Sequence, residues 1–193
     1  MSIAPKSRPQ RPRTQIEELL EEYGLPTDKV VLVGVRGYYK DSMGKPGKND
    51  HDIYDDALFL RSPDRFQSYN FNTDPSRHYG TKLAKLIAGR VYKFYKGDHH
   101  IGRPNAYKAL RPYPEGVQWE CTRDGVISLC SYTNIHEGGP DRPGDLHDFT
   151  GSMGCQTVPK GQFRPDPDDF QPLVYSQMTK YGQKTIDYLL VEE

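Results

Sequence analysis

Two side chains in this sequence could carry out nucleophilic chemistry together. His136 ends the strand-like run "VISLCSYTNIH", and Cys155 closes the small-residue stretch "GSMGC". A thiol is a weak nucleophile until it loses its proton. A nearby imidazole can take that proton at neutral pH, and a thiolate–imidazolium pair is the expected result. The segment between them, Gly138–Gly151, is rich in Gly, Pro and Asp and has the composition of a loop that folds back. Gly154 has a mechanical reason to precede the cysteine. The N–H groups of Gly154 and Cys155 are expected to form an oxyanion hole for a tetrahedral intermediate, and a glycine lets a substrate carbonyl approach without a side chain in the way. The competing reading of Cys155 is a buried thiol that packs as a small hydrophobe.

Other residues invite weaker readings. His51, His99, His100 and His147 all stand beside aspartates, which raises a metal hypothesis. The sequence has neither His-Glu-x-x-His nor Cys-x-x-Cys, so no metal and no cofactor is expected. The pair Asp55-Asp56 at a strand entrance is expected to be solvated or capping rather than an acid–base pair. "GKPGKND" (44–50) lacks the phosphate-loop pattern and reads as a surface turn.

The elements that must position His136 and Cys155 are mostly strands. "KVVLVGVRG" (29–37), "ALFLR" (57–61), "FQSYNFN" (66–72), "GRVYKFYKG" (89–97), "AYKALRP", "VQWECTR" and "KTIDYLLVE" (184–192) all carry strand patterns. Asp124-Gly125 predicts a two-residue hairpin. Arg123 then faces Val126, Cys121 faces Ser128 and Cys130 faces Trp119, so the two cysteines sit diagonally, a poor register for a disulfide. Helices are predicted after a Thr14/Glu17 capping box, as a short element within 76–88, and over 166–182. A long polar loop (38–56) joins the first two strands.

The bulk numbers agree with one domain. A chain of 193 residues is long enough for a single core. Basic and acidic residues balance at 26 each, so net charge gives no argument for nucleic acid. No apolar run approaches a membrane span, and no apolar stretch marks a Sec signal. Three cysteines are an odd number and argue against a disulfide framework, and synthesis in a reducing cytoplasm is expected. Residues 1–13 carry Lys6, Arg8, Arg11 and Arg13 without an acid and are expected to be a flexible basic tail able to contact an anionic envelope. Residues 14–193 are the single domain.

The arrangement of His136, the loop 137–151 and Ser152-Met153-Gly154-Cys155 resembles the active-site signature of the L,D-transpeptidase (YkuD-type) family, in which a histidine and a variable loop precede Ser/Thr-His-Gly-Cys. The likeness covers roughly residues 85–160 and looks like a divergent branch found among phage and bacterial cell-wall proteins. It implies a mostly-β (α+β) fold, a β-sandwich or open barrel with a few peripheral helices. It also implies attack on the L-centre carbonyl of diaminopimelate in peptidoglycan stem peptides. Cys155 would be the nucleophile and His136 the general base and acid. The carbonyl of Glu137 would orient the imidazole, and Ser152 would support the turn. Arg142, Arg103 and Lys160 are candidates for holding a substrate carboxylate. His100 could line the groove, and His147 could replace the family histidine that Met153 displaces. Thr157 stands where the family commonly has arginine or asparagine. Hydrolysis by a phage lysis protein or delivered effector, acting at the cell wall, is expected over cross-linking. The rivals are a metal-dependent peptidase or amidase using the loop histidines, and a non-catalytic wall-binding or virion structural protein with a degenerate site.

Overall fold

The run Val31–Arg36 forms strand β1 and is buried along its whole length, because both of its faces are covered. Leu32 points into one apolar cluster with Leu58, Leu60, Phe71, Phe94, Tyr188 and Leu190. Val31, Val33 and Val35 point into another with Ala57, Phe59 and Leu189, closed by Ile16 and Leu20 of helix α1 (Arg13–Glu22). A strand covered on both sides reads as a continuous apolar run. This computed structural model describes residues 3–139, 150–164 and 166–193.

The chain continues through β2 (Asp56–Arg61), β3 (Phe66–Phe71), β4 (Lys85–Leu86), β5 (Arg90–His99), β6 (Tyr107–Pro112), β7 (Trp119–Arg123), β8 (Val126–Cys130), β9 (Ile135–Glu137) and β10 (Gln156–Val158). Helices α2 (Lys160–Phe163) and α3 (Phe170–Lys180) and strand β11 (Thr185–Glu192) complete it. Eight strands form one sheet in the order β10-β9-β6-β5-β11-β1-β2-β3. Its two ends meet where Asn72 and Thr157 exchange backbone hydrogen bonds of 2.9 Å in both directions, so the sheet is a nearly closed barrel. Strands β4, β7 and β8 form a second, three-stranded sheet. The mostly-β expectation therefore holds. The hairpin also has the register read from Asp124-Gly125: Arg123 opposes Val126, Cys121 opposes Ser128 and Trp119 opposes Cys130, with both cysteines free and buried.

Several local expectations need correction. The segment 3–12 lies on the body rather than trailing from it. Ile3 and Ala4 are buried against Tyr54, and Arg8 pairs with Asp169 at 3.2 Å while covering the Tyr69 ring. Arg11 pairs with Glu193. Three of the four cations expected to face an envelope, Arg8, Arg11 and Arg13, are thus matched by acids of the same chain. Helix α1 starts at Arg13, after Pro12, without a side-chain cap. Glu17 does not close a capping box because it is drawn to Arg13 and Arg61, whose guanidinium Nη2 lies 2.7 Å away. Arg61 is almost wholly buried, and a buried cation needs a carboxylate more than a helix end needs a cap. The helix expected within 76–88 shrinks to one turn, Arg77–Tyr79, ended by Gly80 at φ +106°. Leu86 then joins β4 opposite Cys121.

Candidate active site

Strands β9 and β10 run parallel, with Gln156 opposite Ile135 and Thr157 opposite His136. The Gln156 N–H donates to the Asn134 carbonyl at 2.9 Å, which sets Cys155 beside Asn134 just before the strands begin. Side chains alternate along a strand, so Asn134, His136 and Cys155 share one face. The contacts agree. The Asn134 amide lies 2.8 Å from His99 Nδ1, and the His99 ring stacks on His136 with centroids 4.0 Å apart and planes 14° apart.

His136 Nδ1 lies 2.6 Å from the Glu137 carbonyl oxygen, a separation that requires an N–H donor. The proton is then on Nδ1, and Nε2 carries the lone pair that a general base needs. The Tyr107 hydroxyl donates to the same carbonyl at 3.2 Å and lies 3.1 Å from Nδ1. The Glu137 carboxylate is held by Arg164 at 2.8 Å, whose guanidinium covers the Tyr107 ring.

No hydrogen bond joins the half-buried Cys155 thiol to the imidazole. The thiol donates to the Tyr132 carbonyl at 3.4 Å. Burial pushes the thiol up to about 11 and pulls His136 down to about 4; burial also lowers His99 to about 3, with His136 beside it as the next cause. The expected thiolate–imidazolium pair is therefore not the resting state. A poorly solvated site disfavours both charges, and the pair rests neutral.

The turn before the cysteine is held by Ser152, which is fully buried. Its hydroxyl donates to the Cys155 carbonyl at 2.6 Å and accepts the Gly154 N–H at 3.0 Å. Of the two N–H groups expected in an oxyanion hole, that of Gly154 is thus committed to the turn. The Cys155 N–H remains, and no acceptor for it is found among the described residues. Gly154 is required for another reason than substrate approach. Its φ is +132°, and a Cβ there would lie 2.7 Å from the Ala84 carbonyl oxygen.

The other residues scatter. Met153 is 61% exposed, facing away from the packed turn. Thr157 is fully buried between His136 and Asn72 and offers nothing to a substrate. His100 lies against His99 at 4.0 Å, with its Nδ1 buried and unpaired. Arg103 and Lys160 are exposed, Arg103 in the turn after β5 and Lys160 at the start of α2. Arg142 and His147 lie outside the described residues. Among those described, no group of three or more His, Cys, Asp or Glu side chains is placed to hold a metal ion. Asp55 and Asp56 are fully buried, not solvated: Asp56 accepts the N–H groups of Gly37 and Thr73, each at 2.6 Å.

Sequence reasoning missed Tyr107, Arg164 and Asn134, and it assigned His99 only to a metal hypothesis. Tyr107, Arg164 and His99 reach His136 through the β5–β6 and β6–β9 pairings and through α2, which leave no local pattern, whereas Asn134 stands two residues before His136 and was a local signal passed over.

No family model, no curated protein and no solved structure matches this chain. Among the described residues, no helix is long and apolar enough to cross a membrane.

Proposed function

We propose that this protein is a cysteine acyl-transfer enzyme of the L,D-transpeptidase type that acts on peptidoglycan stem peptides at the cell wall. The observation that carries the reading is the parallel pairing of β9 and β10. It sets Cys155 on the same face as His136, whose Nδ1 is fixed on the Glu137 carbonyl and whose Nε2 is left as the base.

In the first step the Cys155 proton passes to His136 Nε2 as sulfur attacks the L-centre carbonyl of diaminopimelate. The resting pair is neutral, so this transfer accompanies bond formation. The Cys155 N–H stabilises the oxyanion. The C–N bond to D-alanine breaks, the departing amine takes the proton from the imidazolium, and a thioester remains. Water or an amine then takes the acyl group, giving hydrolysis or cross-linking and returning the proton to sulfur.

The thiol's bond to Tyr132 and its raised pKa favour one other reading, a wall-binding or virion structural protein with a silent site. Mass spectrometry of diaminopimelate muropeptides separates the two. Loss of D-alanine, or its exchange, is expected with the protein and abolished by Cys155→Ala and by His136→Ala. Muropeptides bound but unchanged would support the silent site.

A further inference from the structure

A second feature lies against the nucleophile turn. A cleft of about 490 Å³ is lined by residues that include His51, Arg77, Lys82, Lys85, Thr122 and Asp124. Four of these residues are basic types and one is acidic. Lys85 is already answered by Asp74 at 2.6 Å. Asp52 accepts the Arg77 backbone N–H and the Ser76 hydroxyl. The Arg77 guanidinium and the Lys82 ammonium have no carboxylate partner among the described residues.

The cleft is tied to the turn through both segments that build it. The Ser76 N–H, next to Arg77, donates to the Ser152 carbonyl at 2.7 Å. The Ala84 carbonyl, next to Lys85, is the atom that Gly154 packs against. The loop carrying Lys82 is fixed in turn by Arg123, which donates to the Lys82 carbonyl at 3.0 Å. Two cations without a carboxylate partner among the described residues are therefore held on backbone that touches the residues on either side of Met153.

We infer that this cleft is an anion subsite in which Arg77 and Lys82 hold a free carboxylate of a peptide substrate. The inference rests on the proposed acyl-transfer reading, which requires a substrate rich in carboxylates. It also answers a gap left by Thr157, which is buried and cannot recognise one. A planar guanidinium takes a carboxylate through two parallel N–H···O bonds, and the ammonium adds a point charge.

The test uses the full chain with Cys155→Ser, so that binding is read without turnover. The probe is a diaminopimelate tetrapeptide muropeptide, titrated calorimetrically beside the same muropeptide with its carboxylates amidated. The double variant Arg77→Gln/Lys82→Gln is expected to weaken binding of the acidic probe about tenfold or more. The amidated probe should bind the variant and its parent equally weakly. Both substitutions are exposed, and the alkylation rate of Cys155 in the otherwise unaltered chain, expected to be unchanged, reports an intact turn. Equal binding of the acidic probe to variant and parent, or no binding to the parent, would overturn the subsite. Binding that depends on Arg77 and Lys82 while the unsubstituted chain leaves muropeptides intact would overturn the catalytic reading and leave the subsite standing.

Discussion

At the scale of single residues, the site is a neutral thiol and a neutral imidazole held in a dry wall. A preformed ion pair would make Cys155 reactive in mild acid. This arrangement predicts the opposite. The alkylation rate of Cys155 by iodoacetamide at pH 7 should be below that of an ordinary cysteine and should climb towards about pH 11, where the thiol ionises. Substrate turnover should behave differently, because it needs only the unprotonated imidazole. With His136 lowered to about 4, kcat/KM should stay level from neutrality down to about pH 5 and fall only as pH drops through about 4. An alkylation rate already level from pH 5 would show that the thiolate is preformed. Cys155 and His136 were legible as a candidate pair because their types and spacing are local facts of the sequence. Tyr107 and the stacked His99 were not, because strands distant in sequence bring them to His136.

At the scale of elements, the turn and the two strands it joins do the positioning. Gly34 in β1 leaves room for the Tyr188 ring, since a Cβ there would lie 2.8 Å from Tyr188 Cε2. The Tyr188 hydroxyl in turn donates to the Gln156 side chain at 3.1 Å, next to Cys155. Gly154→Ala tests the turn itself. The added methyl would meet the Ala84 carbonyl at a φ that non-glycine residues rarely adopt. The expected cost is about 2 kcal/mol or more in a urea unfolding midpoint, with activity lost along with the turn. Unchanged stability and turnover would show that the turn is not held as described. The strands and the Asp124-Gly125 hairpin were legible because alternation and turn chemistry act locally. The one-turn helix at Arg77–Tyr79 was misread as a longer element because pairing of Leu86 with Cys121 claims the residues that would extend it.

At the scale of the whole molecule, the barrel closes over buried charge. Arg36 is buried at the end of β1, donating to Thr73 Oγ1 at 2.8 Å and to the Leu86 carbonyl at 2.9 Å, beside the buried Asp56. Burial, and then Asp56 beside it, pushes Asp55 up to about 8. The folded chain therefore keeps a proton that the unfolded chain gives up near the ordinary carboxylate value of 3.8, and stability falls as pH rises from about 4 to about 8. His136 and His99 act in the other direction. Their lowered values mean that the unfolded chain binds more protons below about 6.5, so stability falls as pH drops through that window. Between pH 6.5 and 8 only the Asp55 effect of these remains. Asp55→Asn is predicted to remove most of the stability loss across that interval, on the order of 1–2 kcal/mol in denaturant midpoints. An unaltered pH dependence would show that Asp55 is ionised in the fold. No sequence signal announces this group, because an Asp-Asp pair at a strand entrance looks the same whether solvent or a closed barrel end surrounds it.

The proposed function requires that Cys155 take an acyl group from a peptidoglycan peptide. The most direct measurement is intact-protein mass spectrometry of the chain quenched in acid shortly after mixing with a diaminopimelate tetrapeptide muropeptide. The expected result is an adduct equal to the muropeptide minus D-alanine, mapped to Cys155, absent in Cys155→Ala and discharged by an added amine. A protein mass unchanged at every time, or an adduct that persists in Cys155→Ala, would contradict it.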